Sequence, residues 1–408
     1  MLRSMFSAIS GLRGHQVMMD VIGNNIANVN TVGFKSGRVN FQDILSQTLR
    51  GASAASGGLG SVNPAQIGLG MTVAGIDVLH TQGNLQSTGK VTDMAIQGDG
   101  FFVLANGQQQ SYTRDGAFDI AVDGSLVNPA SGLKVQGWLA DASGVVDTTT
   151  AVGNISIPIG QRTTAQATST ANFRGNLDAG AAVGATASTT MTMFDSLGVA
   201  HPIKMTYTKT GANAWSWAAS ADPADAGTTT SSTGTVTFKS DGTFNAATGT
   251  LSVALTNGAT SPQAPTLDLT KMSQFSGASE PIVSANGFTS GSLVTFAVGN
   301  GGELTGVYSN GQTQGLGQIA MASFLNPAGL VRGGQNTFQV SSASGNPSIG
   351  RPGQGNRGSV TTGALEMSNV DLATQFTGMI TAQRGFQANG RVITTSDEML
   401  QELVNLKR

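Results

Sequence analysis

Residues 369–406 read NVDLATQFTGMITAQRGFQANGRVITTSDEMLQELVNL. Leu372, Met379, Phe386, Ile393 and Leu400 recur every seventh residue, with Phe376 and Gln383 at the intermediate positions of the first heptads. This is the spacing of a coiled-coil seam. A second row of small residues, Thr374, Gly378, Thr381, Gly385 and Ala388, keeps the same rhythm two residues on. Two residues turn a helix by about 200°, so this row faces away from the large apolar one. A helix with a sticky face and a smooth face predicts neighbours on both sides, as in the wall of a tube.

The first 30 residues repeat the pattern. Met5, Ile9, Leu12, Met19 and Ile26 follow a helical seam, and Gln16 takes the slot that Gln383 has at the other end. Ser7, Gly11, Gly14 and Met18 run two residues behind. Each interior glycine costs a helix about 1 kcal/mol against alanine, and close approach of Gly11, Gly14, Gly378 and Gly385 to a neighbouring helix is the expected return. The chain ends therefore predict a paired helical assembly domain, 1–30 with 365–408, with the two apolar rows as its assembly interface and the small-residue row facing a helix of the same chain or of another copy.

Between the helices the pattern changes. Val39–Leu49 reads as a short second helix, and 50–70, RGASAASGGLGSVNPAQIGLG, as the extended part of a connector over 31–70. From Met71 the apolar period becomes two, with turn pairs Asp99-Gly100, Asn106-Gly107, Asp115-Gly116 and Asp123-Gly124, the chemistry of hairpins. This predicts an antiparallel β domain over 71–150, resumed at 287–364 in the same hairpin style. Residues 151–286, rich in Thr, Ala, Ser and Gly, read as a second β domain inserted into the first. The fold class is mainly β with α-helical termini: two nested antiparallel β domains and a coiled-coil-like terminal pair whose ends meet.

Composition narrows the function classes. The 408 residues exceed one ordinary core and carry a net charge of −2. Charged residues are 11% of the chain, against about 25% in a typical domain, so no basic stripe for nucleic acid is expected. Cysteine is absent, which excludes disulfides, thiolate metal sites and a cysteine nucleophile. No apolar run is long enough for a membrane span, and the N-terminal residues lack the form of a secretory signal.

The search for chemistry ends without a constellation. Gly353-Gln354-Gly355-Asn356-Arg357-Gly358 fits a dinucleotide-loop spacing, but it follows Pro352 and no strand–helix unit frames it, so it reads as a loop. His15, His80 and His201 lie in separate segments without ligand spacing and read as partly exposed or interface residues. The carboxylate pairs Glu366/Asp371 and Asp397/Glu398 form no acid–base motif. No catalytic residue, cofactor or metal is expected, and no enzymatic activity.

Asn24-Asn25-Ile26-Ala27-Asn28 followed by Thr31-Val32-Gly33-Phe34-Lys35 resembles the N-terminal signature of the bacterial flagellar rod and hook proteins. Leu365-Glu366-Met367-Ser368-Asn369-Val370-Asp371-Leu372, Gln383-Arg384, Gln387-Ala388-Asn389 and Thr395-Ser396-Asp397-Glu398-Met399-Leu400 resemble the C-terminal one. Ile96–Phe102, Tyr112–Gly116 and Phe324–Leu330 are similar to the family's inner β domain, and Phe194-Asp195-Ser196-Leu197-Gly198 is hook-like. The resemblance makes Asn25, Asn28, Gly33, Phe34, Asn369, Asp371, Gln383, Asn389, Asp397 and Glu398 signature positions. The second β domain and the long stretch from Phe34 to Gly70 resemble the hook members more than the shorter rod members.

The resemblance implies a homopolymer of many copies forming a flexible tube that passes motor torque from rod to filament. Its implied partners are the distal rod protein, the hook cap protein, the hook–filament junction protein and the type III export apparatus. The implied location is the hook and basal body of the flagellum, extracellular after export. A distal rod protein is the neighbouring alternative, and a secreted β-rich adhesin binding glycans through 151–286 is the alternative of another class.

Overall fold

The computed structural model describes residues 2–52, 61, 63–141, 144–160, 162–222, 225, 228–230 and 232–406. The chain forms two compact units. Unit 1 comprises 1–157, 297–305 and 315–408, and unit 2 comprises 158–296 and 306–314.

In unit 1 the helix Leu2–Ala27 (α1) packs along the helix Leu372–Asn405 (α2). The stretch after α1 departs from the sequence expectation. Val39–Leu49 is not a helix: Gly37–Asp43 is a strand, paired antiparallel with Met71–Val78 from Gly37 opposite Val78 to Asp43 opposite Met71. A second ribbon continues it, Ser46–Arg50 with Ala65–Gly68, so much of the expected extended connector is hairpin. Its centre, 53–60 and 62, lies outside the described residues. Local propensity is a weak prior here. The alternating strand Met71–Val78 offers a ladder along all of Gly37–Asp43, with one register shift between Asn40 and Phe41, and a face against α1, and long-range pairing overrides the local choice.

The main sheet of unit 1 is antiparallel around Phe101–Asn106. That strand pairs on one side with Gln109–Thr113 and on the other with Lys134–Leu139 at one end and Met321–Ser323 at the other. Asn106 lies opposite Gln109, so Asn106-Gly107 belongs to the hairpin that its sequence predicts, with Gly107 at φ 63°. Gly116 serves a different purpose: a Cβ there would lie 1.5 Å from the carbonyl oxygen of Met94, so the glycine permits backbone contact. The core gathers Phe101, Val103, Tyr112, Trp138, Phe324, Leu330 and Phe338. Edge-to-face rings, such as Tyr112 and Phe324 with centroids 4.9 Å apart, fill it.

Unit 2 is built on a meander of Thr186–Phe194, Ala200–Gly211, Ala214–Ala221, Thr233–Phe238 and Phe244–Thr248. A three-stranded sheet joins it, in which Thr170–Asn176 pairs antiparallel with Ile282–Ala285 and parallel with Thr266–Ser273. Trp215, Trp217, Tyr207, Phe173 and four methionines, Met191, Met193, Met205 and Met272, form its core. Alternation explains the core: Ile203, Met205 and Tyr207 point inward while Lys204 and Thr206 stay more exposed.

Candidate functional site

The helix pair closes on its small residues. On α1, Ala8, Gly11, Ile22 and Asn25 are buried, with His15 and Met18 half-buried between them, a strict three–four spacing. On α2, Ala382 and Ser396 are buried, and Gln375, Gly378, Gly385, Asn389 and Ile393 are half-buried. A Cβ on Gly378 would stand 3.2 Å from Ile22, one on Gly385 2.5 Å from His15, and one on Gly11 2.6 Å from Asn389. Asn25 donates to the Gln375 side-chain oxygen at 3.0 Å. Gly14 turns elsewhere, towards Met71 and Phe41 of the ribbon.

Apart from Ile393, the large apolar rows do not form this seam. Met5, Ile9, Leu12, Met19 and Ile26 are half-buried on the flanks of α1, and Met379, Ile393 and Leu400 are half-buried on α2. Leu372, Phe376 and Phe386 are 40%, 50% and 39% exposed, and Gln383 is also exposed. Glycine and alanine let two backbones approach in a way that facing Phe and Met side chains do not, so the pair meets at Gly11, Gly378, Ala382 and Gly385, while Thr374, Thr381 and Ala388 of the expected small-residue row are exposed and large side chains are left outward.

Below the pair, the signature residues make a junction. Asn25 accepts from the Gly37 N–H at 2.9 Å and donates to the Gly37 carbonyl at 2.8 Å, acting as a strand partner at the end of α1. Asn28 donates to the Asn24 carbonyl at 2.9 Å and accepts from the Thr31 hydroxyl at 3.1 Å. Gly33, at φ 68°, donates its N–H to the Glu366 carbonyl at 2.7 Å. Phe34 is buried beneath the Arg332 guanidinium, 5.0 Å from the ring centre. Asn369 accepts from Ser36 N–H and donates to the Leu79 carbonyl, both at 2.8 Å. Asp371 caps α2 by accepting from Ala373 N–H at 2.9 Å. Asp397 bonds Gln401 on the α2 surface, and Glu398 is exposed.

At the centre of the junction lies an ion cluster that the sequence reading missed. Glu366 Oε1 is 2.6 Å from Lys35 Nζ, and its Oε2 is 3.2 Å from Arg114 Nη1. The carboxylate also accepts from Gly83 N–H at 2.8 Å. Lys35 donates to the Thr81 carbonyl at 2.7 Å, and Arg114 to that of Gly98 at 2.8 Å. Burial pushes the Lys35 ammonium down and the Glu366 carboxylate opposes that shift. Burial also lowers Arg114, against the same carboxylate. A usable signal was present: all three charges sit inside the quoted motifs of a chain with few charges, and Glu366 lies between Leu365 and Met367.

His80 lies beside this cluster, edge-on to Phe101 and Phe338 with ring centres 5.4 and 5.3 Å away. Burial, then Lys35 and Arg114, push its pKa down to about 4. In unit 2, His201 is buried at 2% exposure, contrary to the expected partly exposed or interface position. Its Nε2 is 3.1 Å from Asp195 and its Nδ1 2.5 Å from Asp225, with the Thr228 hydroxyl 2.7 Å away. Thr228, His201 and Asp195 line up like a hydrolase triad. Here, however, Thr228 is 5% exposed and also donates to Asp225 at 2.7 Å, so the hydroxyl is enclosed and engaged. Asp195 additionally accepts from the Leu197 and Val199 N–H groups, which makes the Phe194–Gly198 motif a folded corner. Among the described residues, no group of His, Asp and Glu has the arrangement of a metal site, and no helix is long and apolar enough to cross a membrane.

Four family models match the chain. They are the flagella basal body rod protein over 5–35, the flagellar hook protein FlgE/F/G D1 domain over 95–172, the flagellar basal body protein FlaE D2 domain over 161–288, and the flagellar basal body rod FlgEFG protein C-terminal over 361–406. The flagellar hook protein FlgE of Borreliella burgdorferi is 40% identical, with all of both chains covered. That of Salmonella typhimurium is 37% identical over 99% of this chain and 100% of its own. The flagellar basal-body rod protein FlgG of Bacillus subtilis is 33% identical over all of both. The fold is similar to a crystal structure of the Helicobacter pylori hook protein FlgE2, with a TM-score of 0.56 and 14% identity over 69% of this chain and 100% of that one. Matches at both helical ends, across the β units and along full-length relatives agree with the junction geometry: the chain belongs to the bacterial flagellar hook protein family.

Proposed function

We propose that the chain is the structural subunit of a flagellar hook and polymerises into the tube that links rod to filament and transmits torque while bending. The observation that carries this reading is the helix pair. Its small-residue faces are used up within one chain, while Leu372, Phe376 and Phe386 remain 40%, 50% and 39% exposed. Apolar rows of that kind on a 34-residue helix call for cover from further copies. Residues 1–30 and 365–408 act as the assembly domain, with Met5, Ile9, Leu12, Met19, Ile26, Met379, Ile393 and Leu400 joining the exposed row at contacts between copies. The inner and outer β domains, 71–150 with 287–364 and 151–286, make smaller polar contacts able to shift on bending. The distal rod protein, hook cap protein, hook–filament junction protein and type III export apparatus are the expected partners.

Removal of α1 and of 372–408, with Glu366 kept so that Lys35 and Arg114 stay paired, tests the reading. The expected product is a folded monomer that forms no tubes. Normal tubes from it would sink the proposal. The match to a rod protein favours one further reading, a distal rod subunit. Electron microscopy of the native polymer separates the two, because a hook is curved and a rod straight.

A further inference from the structure

The helix pair is antiparallel and without a slip in register. Asn25 meets Gln375, Ile22 meets Gly378, His15 meets Gly385 and Gly11 meets Asn389, so each step back along α1 is matched by one step forward along α2. Continued to Leu2, the first described residue of α1, this register ends opposite Glu398. Residues 399–406 run on past it. Met399, Leu403 and Leu406 are 46%, 50% and 82% exposed there. Spaced by four and three residues, they share one stripe, with Glu402 at its edge.

The other end of the pair offers a groove. It encloses about 540 Å³ between α1 and the first ribbon, lined by Val17, Val21, Ile76, Val78 and Leu330, with Asp20 and Arg332 as its charged residues. Ile76 is 51% exposed in it. Arg332 donates to the Lys35 carbonyl and stacks on Phe34, yet it forms no ion pair among the described residues. Burial lowers its pKa. A partly desolvated guanidinium without a counter-ion suits a carboxylate that arrives with apolar neighbours.

We propose that residues 399–406 of one copy seat in this groove of a second copy, with Met399, Leu403 and Leu406 against Ile76 and Val21 and Glu402 beside Arg332. A copy cannot fill its own groove. The α2 overhang lies beyond Leu2, and Val17 is about 22 Å further along α1 at 1.5 Å per residue. Knob and groove are different surfaces at opposite ends of one helix pair, so the contact is heterologous and generates an open helical polymer rather than a closed dimer. The inference rests on the polymer reading above and adds the contact that makes it directional.

The chain contains no cysteine, so an engineered pair is unambiguous. The full chain carrying Ile76→Cys and Leu403→Cys is assembled, oxidised and run without reductant. The expected result is a ladder of disulfide-linked multimers from tubes and none from either single variant. Adding Glu402→Lys is expected to lower the ladder yield roughly tenfold, the factor that 1.4 kcal/mol sets. Tubes that form without a ladder overturn this contact while leaving the polymer reading intact. A cross-linked monomer overturns it by showing that the chain fills its own groove. A chain that forms no polymer under any condition overturns both.

Discussion

Glu366 Oε1 lies 2.6 Å from Lys35 Nζ, and both side chains are closed to water. The two residues are 331 positions apart in sequence. One carboxylate thereby joins the segment leaving α1 to the segment entering α2, and its second oxygen holds Arg114 of the inner sheet. This shared carboxylate thus ties the segments flanking the terminal helices to the inner sheet of unit 1, alongside the bonds of Asn25 and Asn369. A buried pair of this kind does more for geometry than for net stability, because desolvation offsets much of its attraction.

Breaking the cluster is a different matter. Glu366→Gln leaves the Lys35 and Arg114 cations buried without a counter-charge. We expect it to destabilise unit 1 by about 3–5 kcal/mol, read from the denaturation midpoint. Asp371→Ala removes only the α2 cap and is expected to cost about 1 kcal/mol. Similar midpoints for the two variants would contradict the anchoring role.

The helix glycines divide into two kinds. A side chain at Gly385 meets His15 at 2.5 Å, whereas one at Gly390 meets nothing within 4 Å. Gly385→Leu is expected to open the helix pair and abolish tube formation. Gly390→Ala is expected to raise the stability of α2 by about 1 kcal/mol through helix propensity alone. Thermal melts followed by helical circular dichroism check both.

Unit 2 has a pH-dependent element. Burial pushes the His201 imidazole down, but its bonds to Asp225 and Asp195 outweigh this and hold its pKa above the ordinary histidine value. Its contribution is therefore complete below about pH 6.5 and is lost as pH rises through the raised pKa. Burial likewise pushes Asp195 up, yet bonds from Asn257, His201 and two backbone N–H groups hold it below the usual carboxylate value. That contribution is lost on acidification instead. Melts followed by Trp215 and Trp217 fluorescence are expected to fall as pH rises above about 6.5, and His201→Gln is expected to flatten the alkaline slope.

The hairpin Val331–Gly334 to Thr337–Gln339 turns through Gln335 at φ 49° and Asn336 at φ 57°. Asparagine tolerates this left-handed region, and Asn336 also donates to the Val32 carbonyl at 2.9 Å. Glutamine has no such compensation. Gln335→Asn is expected to stabilise unit 1 by up to about 1 kcal/mol, measured by chemical denaturation, with tube formation unchanged.

The heptad rows of 372–400 and 5–26, the hairpin turn at Asn106-Gly107 and the β period from Met71 were legible in the residues themselves, because each depends on local spacing. So was the conclusion that the two ends meet. Periodicity places a row on one side of a helix but does not say what covers it, and it was the folded chain that put Gly378 and Gly385 against α1 and left Phe376 outward. Val39–Leu49 formed a strand because Met71–Val78 was there to pair with it. Lys35, Arg114 and Glu366 lie far apart along the chain, and nothing in their local spacing joins them. By itself, then, the sequence determined the terminal helices, the β character of the chain between Met71 and Glu366, and the family, but not the strands of 37–50. Only the tertiary structure decided which faces are spent within one chain and which charges share a partner, since burial and ion pairing depend on distances in space that local sequence spacing does not encode.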